Sequence, residues 1–321
     1  MRIAVTGGLG YIGACLVEEL TGAGHDVRVL DSLLHGQEDI ASHVSSTGAE
    51  LFRGDVRDAA ACAAAFAGAD AVVHLAAIVG DPACARDPEL SNDVNVGGSR
   101  NVVARAQEAG VRRLVFASTC SNYGRMADPT VPVTEDGELA PVSLYAEQKV
   151  MIEQSLLSGG FGELEPTCLR FATVYGVAPR MRFDLTVNEF TRDLWDAKPL
   201  EVFGEQFWRP YVHVRDAARG VVLALSSDLS RVGGRVFNVG HSDENYRKLD
   251  LVELITGELG RGEVTYVKRS EDPRDYKVSF ERIRSELGFE PKERVPDGVR
   301  EIVAALEARE FGDPYAAHFR N

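Results

Sequence analysis

The sequence predicts an α/β fold, in which a doubly wound parallel sheet carries a smaller, mostly C-terminal lobe. An apolar strand at residues 3–6 runs into a glycine-rich turn and then into a helix with an apolar stripe. A second strand, residues 27–30, follows and ends on Asp31. Strands and helices then alternate as far as Phe171, and such alternation is typical of a parallel sheet with helices on both faces.

Composition narrows the classes of function. The chain has 321 residues, 45% of them hydrophobic and 26% charged, which is ordinary for a globular protein. A net charge of -14 argues against a nucleic-acid partner. The five cysteines are scattered without a Cys-x-x-Cys pair, and the histidines form no metal motif, so we expect neither disulfides nor a metal. With no signal-peptide pattern and no spanning apolar run, we expect a cytoplasmic protein without a membrane role.

The glycine turn predicts a dinucleotide site. Gly7, Gly10 and Gly13 allow a tight turn and a close backbone approach, while the N–H groups of the new helix face a pyrophosphate. Asp31 stands at the distance expected for a carboxylate that accepts hydrogen bonds from a ribose, and its charge would repel a 2′-phosphate. The pattern therefore predicts a Rossmann domain that binds NAD rather than NADP.

Two further strand ends extend this site. Asp55 and Val56 follow the strand at residues 50–53 and are predicted to hold the adenine, although Asp55 is also consistent with a helix cap. After the next strand, the small residues that follow Leu75 leave space for a flat cofactor. We interpret His74 as a satisfied core histidine.

The spacing Tyr145-x-x-x-Lys149 predicts oxidoreductase chemistry. On a helix the two residues lie on one face, so the Lys149 ammonium is expected to favour the ionised Tyr145 phenol. Such a phenol exchanges protons with an alcohol or ketone, and Thr119, at the end of a strand, can orient the same oxygen. A lone Tyr-x-x-x-Lys also occurs by chance in many helices, so its weight depends on the dinucleotide pattern upstream.

With these motifs placed, the chain resembles the extended short-chain dehydrogenase/reductase family. Its nearest branch is the NAD-dependent epimerase/dehydratase group, which acts on nucleotide sugars. The resemblance covers nearly the whole chain, because the run from Arg209 to Asp216 and the region of Arg269 look like substrate-lobe motifs of that group. It implies a dinucleotide domain at residues 1–176, with 210–240 returning to it, and a substrate-binding lobe at 177–321.

The resemblance also assigns roles to positions. It implies that Thr119, Tyr145 and Lys149 are catalytic and that Asn95 supports the lysine. The implied cofactor contacts are Gly7, Gly10, Tyr11, Ile12, Gly13, Asp31, Asp55, Val56, Leu75, Ala76, Ala77, Asn95 and Lys149. The implied substrate contacts are Thr173, Asn188, Arg209 and Arg269, of which the two arginines are also consistent with solvated surface roles.

Departures from the family pattern guide the choice of reaction. The 4,6-dehydratases of the group carry an Asp-Glu pair after the catalytic Thr, whereas this chain has Cys120-Ser121. The acid and base for eliminating water are therefore missing, and the decarboxylases of the group are disfavoured for a similar reason. Thr173 replaces an asparagine found in many members. Cys120 is either a proton donor beside the site or, as we favour, an inert buried thiol.

We therefore expect an NAD-dependent nucleotide-sugar epimerase that acts at C4 through a transient ketone. The alternative is a nucleotide-sugar 4-ketoreductase with exchangeable NAD(P)H. A non-catalytic dinucleotide sensor of the same fold is a third hypothesis, which the intact Thr119, Tyr145 and Lys149 set disfavours.

The resemblance further implies a homodimer. The outer faces of two helices, predicted at residues 98–109 and 144–157, would pair across a two-fold axis. Ala104, Ala106 and Ala146 are expected to allow the close approach. A monomer with solvated helix faces is the alternative.

Overall fold

The computed structural model describes residues 1–126, 128, 130–267 and 274–321. Its strands are β1 Arg2–Thr6, β2 Asp26–Asp31, β3 Glu50–Arg53, β4 Ala71–His74, β5 Arg113–Thr119, β6 Glu165–Phe171, β7 Thr173–Tyr175, β8 Leu200–Phe203, β9 Trp208–His213, β10 Arg235–Val239, β11 Asn245–Arg247 and β12 Val264–Val267. Its α-helices are α1 Tyr11–Gly22, α2 Glu38–Ser46, α3 Ala59–Phe66, α4 Asp81–Arg86, α5 Pro88–Asn92, α6 Ser99–Glu108, α7 Leu144–Leu157, α8 Thr186–Trp195, α9 Val214–Ser226, α10 Leu229–Val232, α11 Lys248–Leu259, α12 Glu281–Leu287 and α13 Val295–Glu307.

One large sheet organises the described part of the chain. Its seven strands run parallel in the order β10-β6-β5-β4-β1-β2-β3. The order reverses between β1 and β4, and in open α/β sheets ligands collect outside the carboxyl ends of the strands at such a reversal. The predicted doubly wound α/β fold is confirmed.

Alternating side chains on the strands build a core on each face of this sheet. Ile3 and Val5 of β1 belong to one core, to which α1 and α9 contribute apolar residues such as Leu16 and Val221. Ala4, between them, belongs to the opposite core, which α3, α6 and α7 cover. Because successive strand residues point to opposite faces, a strand buried on both sides is apolar throughout.

The smaller lobe has its own core. A three-stranded sheet in the order β11-β9-β7 and the pair β12-β8 lie with α8, α11 and α13. Tyr175, Val187, Leu251 and Val299 are buried there. Strand β10 lies in the large sheet, within the 210–240 range for which we predicted a return, and the division into two domains remains a prediction.

The helices α6 and α7 are placed as predicted, but two of the small residues are not on their outer faces. Ala106 and Ala146 are 0% and 1% exposed, and Ala106 packs in the core that covers this face of the sheet. Ala104 is partly exposed. Met151, on α7, is 49% exposed. The expectation that Ala106 and Ala146 form a subunit contact was therefore wrong.

No helix in the described ranges combines the length and the apolar character needed to cross a membrane. In the same ranges, no group of three or more His, Cys, Asp or Glu residues is arranged to hold a metal ion.

Candidate active site

A cavity of about 600 Å³ opens at the carboxyl ends of the central strands and extends to the smaller lobe. The structure brings most of the predicted site residues into its lining: Gly7, Gly10, Tyr11, Ile12, Gly13, Asp31, Asp55, Val56, Leu75, Ala76, Ala77, Thr119, Tyr145, Lys149, Thr173 and Arg209. We call the part near Gly7 and Asp31 the cofactor half. The part near Thr173 and Arg209 is the substrate half.

The turn between β1 and α1 requires glycine at two positions. Gly7 has φ +73°, a conformation that L side chains rarely adopt, and a Cβ there would lie 2.7 Å from the Ala76 backbone nitrogen. A Cβ on Gly13 would lie 2.2 Å from the Gly7 carbonyl oxygen. Backbone therefore packs against backbone at the start of α1, which leaves its first N–H groups open to an anionic ligand.

Asp31 is fixed at the end of β2. Its carboxylate accepts hydrogen bonds from the backbone N–H groups of Leu9, at 3.0 Å, and Leu33, at 2.9 Å. Burial raises the pKa of this carboxyl, while the two N–H donors and the Arg180 cation oppose the shift. The carboxylate is held in place before a ligand arrives, as a ribose acceptor needs to be.

Asp55 is engaged with a neighbour. Its carboxylate accepts two side-chain hydrogen bonds from Arg57, at 2.7 and 3.0 Å, and these lower its pKa. The alternative reading as a helix cap is wrong, since Asp58 caps α3 instead. Val56 packs beneath it in the core with 5% exposure.

Tyr145 and Lys149 share one face of α7, as their spacing predicted. Lys149 Nζ donates to the Ala117 carbonyl oxygen at 2.7 Å and lies 5.9 Å from the centre of the Tyr145 ring. Burial lowers the pKa of Lys149 to about 8. Burial also raises the pKa of Tyr145, so the expected lowering by Lys149 is not present in this geometry, in which the ammonium is directed at Ala117.

The end of β5 orients the remaining hydroxyl. Thr119 lines the cavity, and its Oγ1 accepts a hydrogen bond from the Ser121 N–H at 3.1 Å. Cys120, next to it, is 1% exposed and its Sγ donates to the Arg170 carbonyl oxygen. Burial raises the pKa of the Cys120 thiol well above its usual value. The thiol does not line the cavity, in agreement with the inert reading.

A buried ion pair supports this arrangement from behind. Glu153, one turn beyond Lys149 on α7, pairs with Arg170 of β6 and accepts a 2.6 Å hydrogen bond from the Ser118 hydroxyl. Glu153 and Arg170 are 0% and 3% exposed. Because breaking such a pair would leave an uncompensated buried charge, the pair holds α7 against β6 and, through Ser118, against β5. It thereby fixes the helix face that carries Tyr145 and Lys149.

Two predicted residues lie behind the cavity wall. Asn188 is fully buried: its Oδ1 accepts from the Gly176 N–H, and its Nδ2 donates to the Tyr11 hydroxyl and to the Arg182 carbonyl. Asn95 is 4% exposed and binds both backbone groups of Ile78. Neither side chain lines the cavity, because their hydrogen bonds are made within the protein.

Asn95 also binds the residue that precedes Lys149 in the sequence. Its Nδ2 donates to Gln148 Oε1 at 2.8 Å, and Ser91 donates to the same oxygen at 2.9 Å. Asn95 lies in a π-helical turn, Asp93–Gly98, which precedes α6. It thus supports α7 one residue before Lys149 and does not contact the ammonium directly in this structure.

The substrate half contains charged side chains that belong to no motif in the sequence. Asp81, Arg182, Lys248 and Arg274 line it together with Arg209. Arg209 Nη1 donates to the Trp208 and Arg274 carbonyl oxygens. Arg269 lies outside the described residues. No periodicity marks these side chains, which come from loops and element ends. A cluster of basic residues near Arg274 was the available signal.

Comparisons with known proteins agree with this geometry. A family model described as the NAD dependent epimerase/dehydratase family matches residues 3–240. A UDP-glucose 4-epimerase of Lacticaseibacillus casei is 30% identical over 319 residues, covering 91% of this chain and 92% of the relative.

Two solved structures have the same fold over nearly their whole length. The UDP-glucose 4-epimerase of Thermus thermophilus in complex with NAD has a TM-score of 0.84 and 29% identity, and the match covers 96% of this chain and 99% of that one. The UDP-glucose 4-epimerase of Thermotoga maritima with UDP-glucose has a TM-score of 0.86 and 27% identity, with 97% and 100% covered.

Proposed function

Since this chain belongs to the NAD-dependent epimerase/dehydratase family and is an NAD-dependent nucleotide-sugar epimerase, we propose that it inverts C4 of a UDP-hexose through a transient ketone. The observation that carries this proposal is the position of Tyr145, Lys149 and Thr119 in one cavity that continues into a cationic substrate half.

The cofactor half fits a dinucleotide. A cradle that a Cβ on Gly7 or Gly13 would fill lies before the first N–H groups of α1, which suit a pyrophosphate. Asp31 suits the adenosine ribose, and Asp55 with Val56 suits the adenine. NAD, when bound, supplies a reversible hydride acceptor for the carbinol carbon.

Proton transfer falls to the catalytic set. Tyr145, as phenolate, takes the proton of the C4 hydroxyl while that carbon loses its hydride, and returns the proton when hydride comes back to the opposite face. Lys149, positively charged below its pKa of about 8, lies 5.9 Å from the centre of the Tyr145 ring, and its charge would oppose the burial that raises the pKa of the phenol once the ammonium turns from Ala117 toward it. The Thr119 hydroxyl donates to the C4 oxygen as negative charge develops there.

The substrate half suits a nucleotide diphosphate. Arg209 is 5% exposed, and its guanidinium is oriented by the carbonyl groups that it binds. Planar guanidinium donors match phosphate oxygens in pairs, and Lys248 adds a second positive charge. We include Thr173 in this substrate contact.

Cofactor retention tests the proposal. Purified protein is expected to contain bound NAD and to interconvert UDP-glucose and UDP-galactose without added cofactor, as followed by NMR. A strict requirement for added NAD(P)H, with net reduction of a 4-ketosugar, would instead identify a ketoreductase. A parallel panel of dTDP-, GDP- and CDP-sugars tests the choice of uridine.

We also propose a homodimer formed by the outer faces of α6 and α7. Met151 supports this proposal, because a large apolar side chain on α7 is about half exposed. Light scattering at micromolar concentration is expected to give twice the chain mass of 34.9 kDa. A mass near 34.9 kDa would exclude the dimer, and Met151→Glu is expected to shift the protein toward that mass.

A further inference from the structure

An acidic residue stands beside the catalytic tyrosine and has no role in the proton transfer described above. Asp81 begins α4, directly after Gly80, which has a φ of +96°. Asp81 lines the cavity with Tyr145. Its negative charge adds to the burial that raises the pKa of the Tyr145 phenol.

The two oxygens of Asp81 are used differently. Oδ2 pairs with Arg274 Nη1 at 3.2 Å, so Arg274 is held against the start of α4. Oδ1 is buried and accepts no hydrogen bond from any described residue. Because Oδ1 has almost no accessible surface, a ligand in the cavity meets Oδ2 instead, and this oxygen, on a side chain that is 31% exposed, keeps a lone pair that accepts a hydroxyl donor.

The chemistry of a nucleotide sugar limits which of its groups binds there. The diphosphate offers only acceptors and negative charge, whereas the hexose offers several hydroxyl donors. A hexuronate also carries a carboxylate, which would add a second negative charge near Asp81, where Arg274 already pairs with the first. Deepening the proposed epimerase function, on which this inference rests, we propose that Asp81 accepts a hydrogen bond from a sugar hydroxyl and selects neutral hexoses over hexuronates.

The test compares UDP-glucose with UDP-glucuronate in wild type and in Asp81→Asn, which keeps the shape but removes the charge and adds an N–H donor. We expect the ratio of kcat/KM for UDP-glucose to that for UDP-glucuronate to fall by roughly 10-fold or more. Asp26→Asn is the matched control, because Asp26 also pairs with an arginine but lies outside the cavity. An unchanged ratio in Asp81→Asn would overturn the inference.

Equilibrium binding separates this inference from the proposed function. Calorimetric titration of the NAD-loaded enzyme measures the affinity ratio of the two UDP-sugars without turnover. A shift in that ratio in a protein that epimerises neither sugar would support the role of Asp81 and contradict C4 epimerisation. If the enzyme turns over UDP-glucose but wild type and Asp81→Asn have the same affinity ratio, C4 epimerisation is supported and the role of Asp81 is contradicted.

A pH profile adds a readout that a purely structural role would not change. Removing the negative charge of Asp81 makes the Tyr145 phenolate easier to form, so the apparent pKa of that group in the profile of kcat is expected to fall in Asp81→Asn. Arg274→Gln removes the positive partner and is expected to move the same apparent pKa upward. Movement of both variants in one direction would contradict the proposed electrostatic arrangement.

Discussion

The cofactor half and the substrate half of the cavity differ in what lines them: closely packed backbone predominates in the first and charged side chains in the second. The cofactor half is made of backbone at the carboxyl ends of β1, β2 and β4, where Gly7 and Gly13 allow main chain to touch main chain. The substrate half is made of charged side chains such as Arg209, Arg274 and Asp81, which come from loops and short elements. The cofactor half has no space for a Cβ at Gly7 or Gly13, whereas ligand binding in the substrate half is expected to depend on the charges of its side chains.

This difference teaches where each kind of change acts. A methyl group added at Gly7 or Gly13 displaces the backbone at the start of α1, where we propose that the pyrophosphate binds. A charge removed from the substrate half leaves the backbone in place and changes which sugar nucleotide binds. Tyr145 and Lys149 lie between the halves, so changes there affect the reaction more than either binding step.

The largest effect on activity is expected at Tyr145. Tyr145→Phe removes the proton-transfer oxygen and keeps the ring, so turnover is expected to fall ~100-fold or more. NAD content and the affinity for UDP-sugar are expected to stay near wild type, as measured by absorbance of released NAD and by calorimetry. Turnover close to wild type would show that another group transfers the proton.

The next largest effect is expected in the cofactor half, on NAD affinity. Gly13→Ala places a Cβ 2.2 Å from the Gly7 carbonyl oxygen, and overpacking costs about 1–3 kcal/mol, which would lower NAD affinity roughly 5- to 150-fold. Gly22→Ala is the control on the same helix, because a Cβ there meets nothing within 4 Å. Equal NAD affinities in these two variants would contradict a backbone-built cofactor half.

A smaller effect is expected in the substrate half, on KM for the nucleotide sugar. Arg209→Lys keeps the charge but loses the paired planar donors, so KM for the nucleotide sugar is expected to rise roughly 10-fold while NAD affinity is unchanged. Arg284→Lys serves as control, since Arg284 pairs with Glu281 on the surface, away from the cavity. Loss of NAD affinity in Arg209→Lys would show that the halves are not separable in this way.

The smallest effect is expected for the charge of Asp31. Asp31→Asn keeps an oxygen that accepts from the Leu9 or Leu33 N–H group and removes the charge, at a cost of about 1 kcal/mol to NAD binding. Because the lost charge also repelled a 2′-phosphate, the ratio of NAD to NADP affinity is expected to fall about 5-fold or more. Fluorescence titration with both cofactors measures it. An unchanged ratio would assign the discrimination to other residues.

The same contrast explains how much the sequence could predict. Most strands and helices of the large sheet followed from the alternation of apolar runs and turn residues, and α7 was predicted at its observed bounds, Leu144–Leu157. The three- and four-residue strands β7, β8, β11 and β12 are too short to show a period, and unlike the equally short β3 and β4 they lie outside the regular alternation of strands and helices. Helix α2 was missed because its nine residues include few apolar ones.

Side-chain direction was the harder part of the site. Asn188 matched a substrate position, yet its amide is directed inward by Gly176, Tyr11 and Arg182. Asp81 had no motif, because its partner Arg274 is distant in sequence and meets it only through the packing of the smaller lobe. Spacing identifies which residues share an element, whereas contacts between elements depend on the tertiary fold.

The Tyr11 hydroxyl has a consequence for how separable the lobes are in engineering. It donates to the Gly176 carbonyl at 2.5 Å and accepts from Asn188 Nδ2 at 3.0 Å, so the first residue of α1 is bonded to the far lobe. A dinucleotide domain joined to a foreign lobe without this amide would bury the hydroxyl without its donor, at a cost of about 1–3 kcal/mol. The dinucleotide domain therefore cannot be exchanged by itself, because a chimera has to retain Asn188 together with Tyr11.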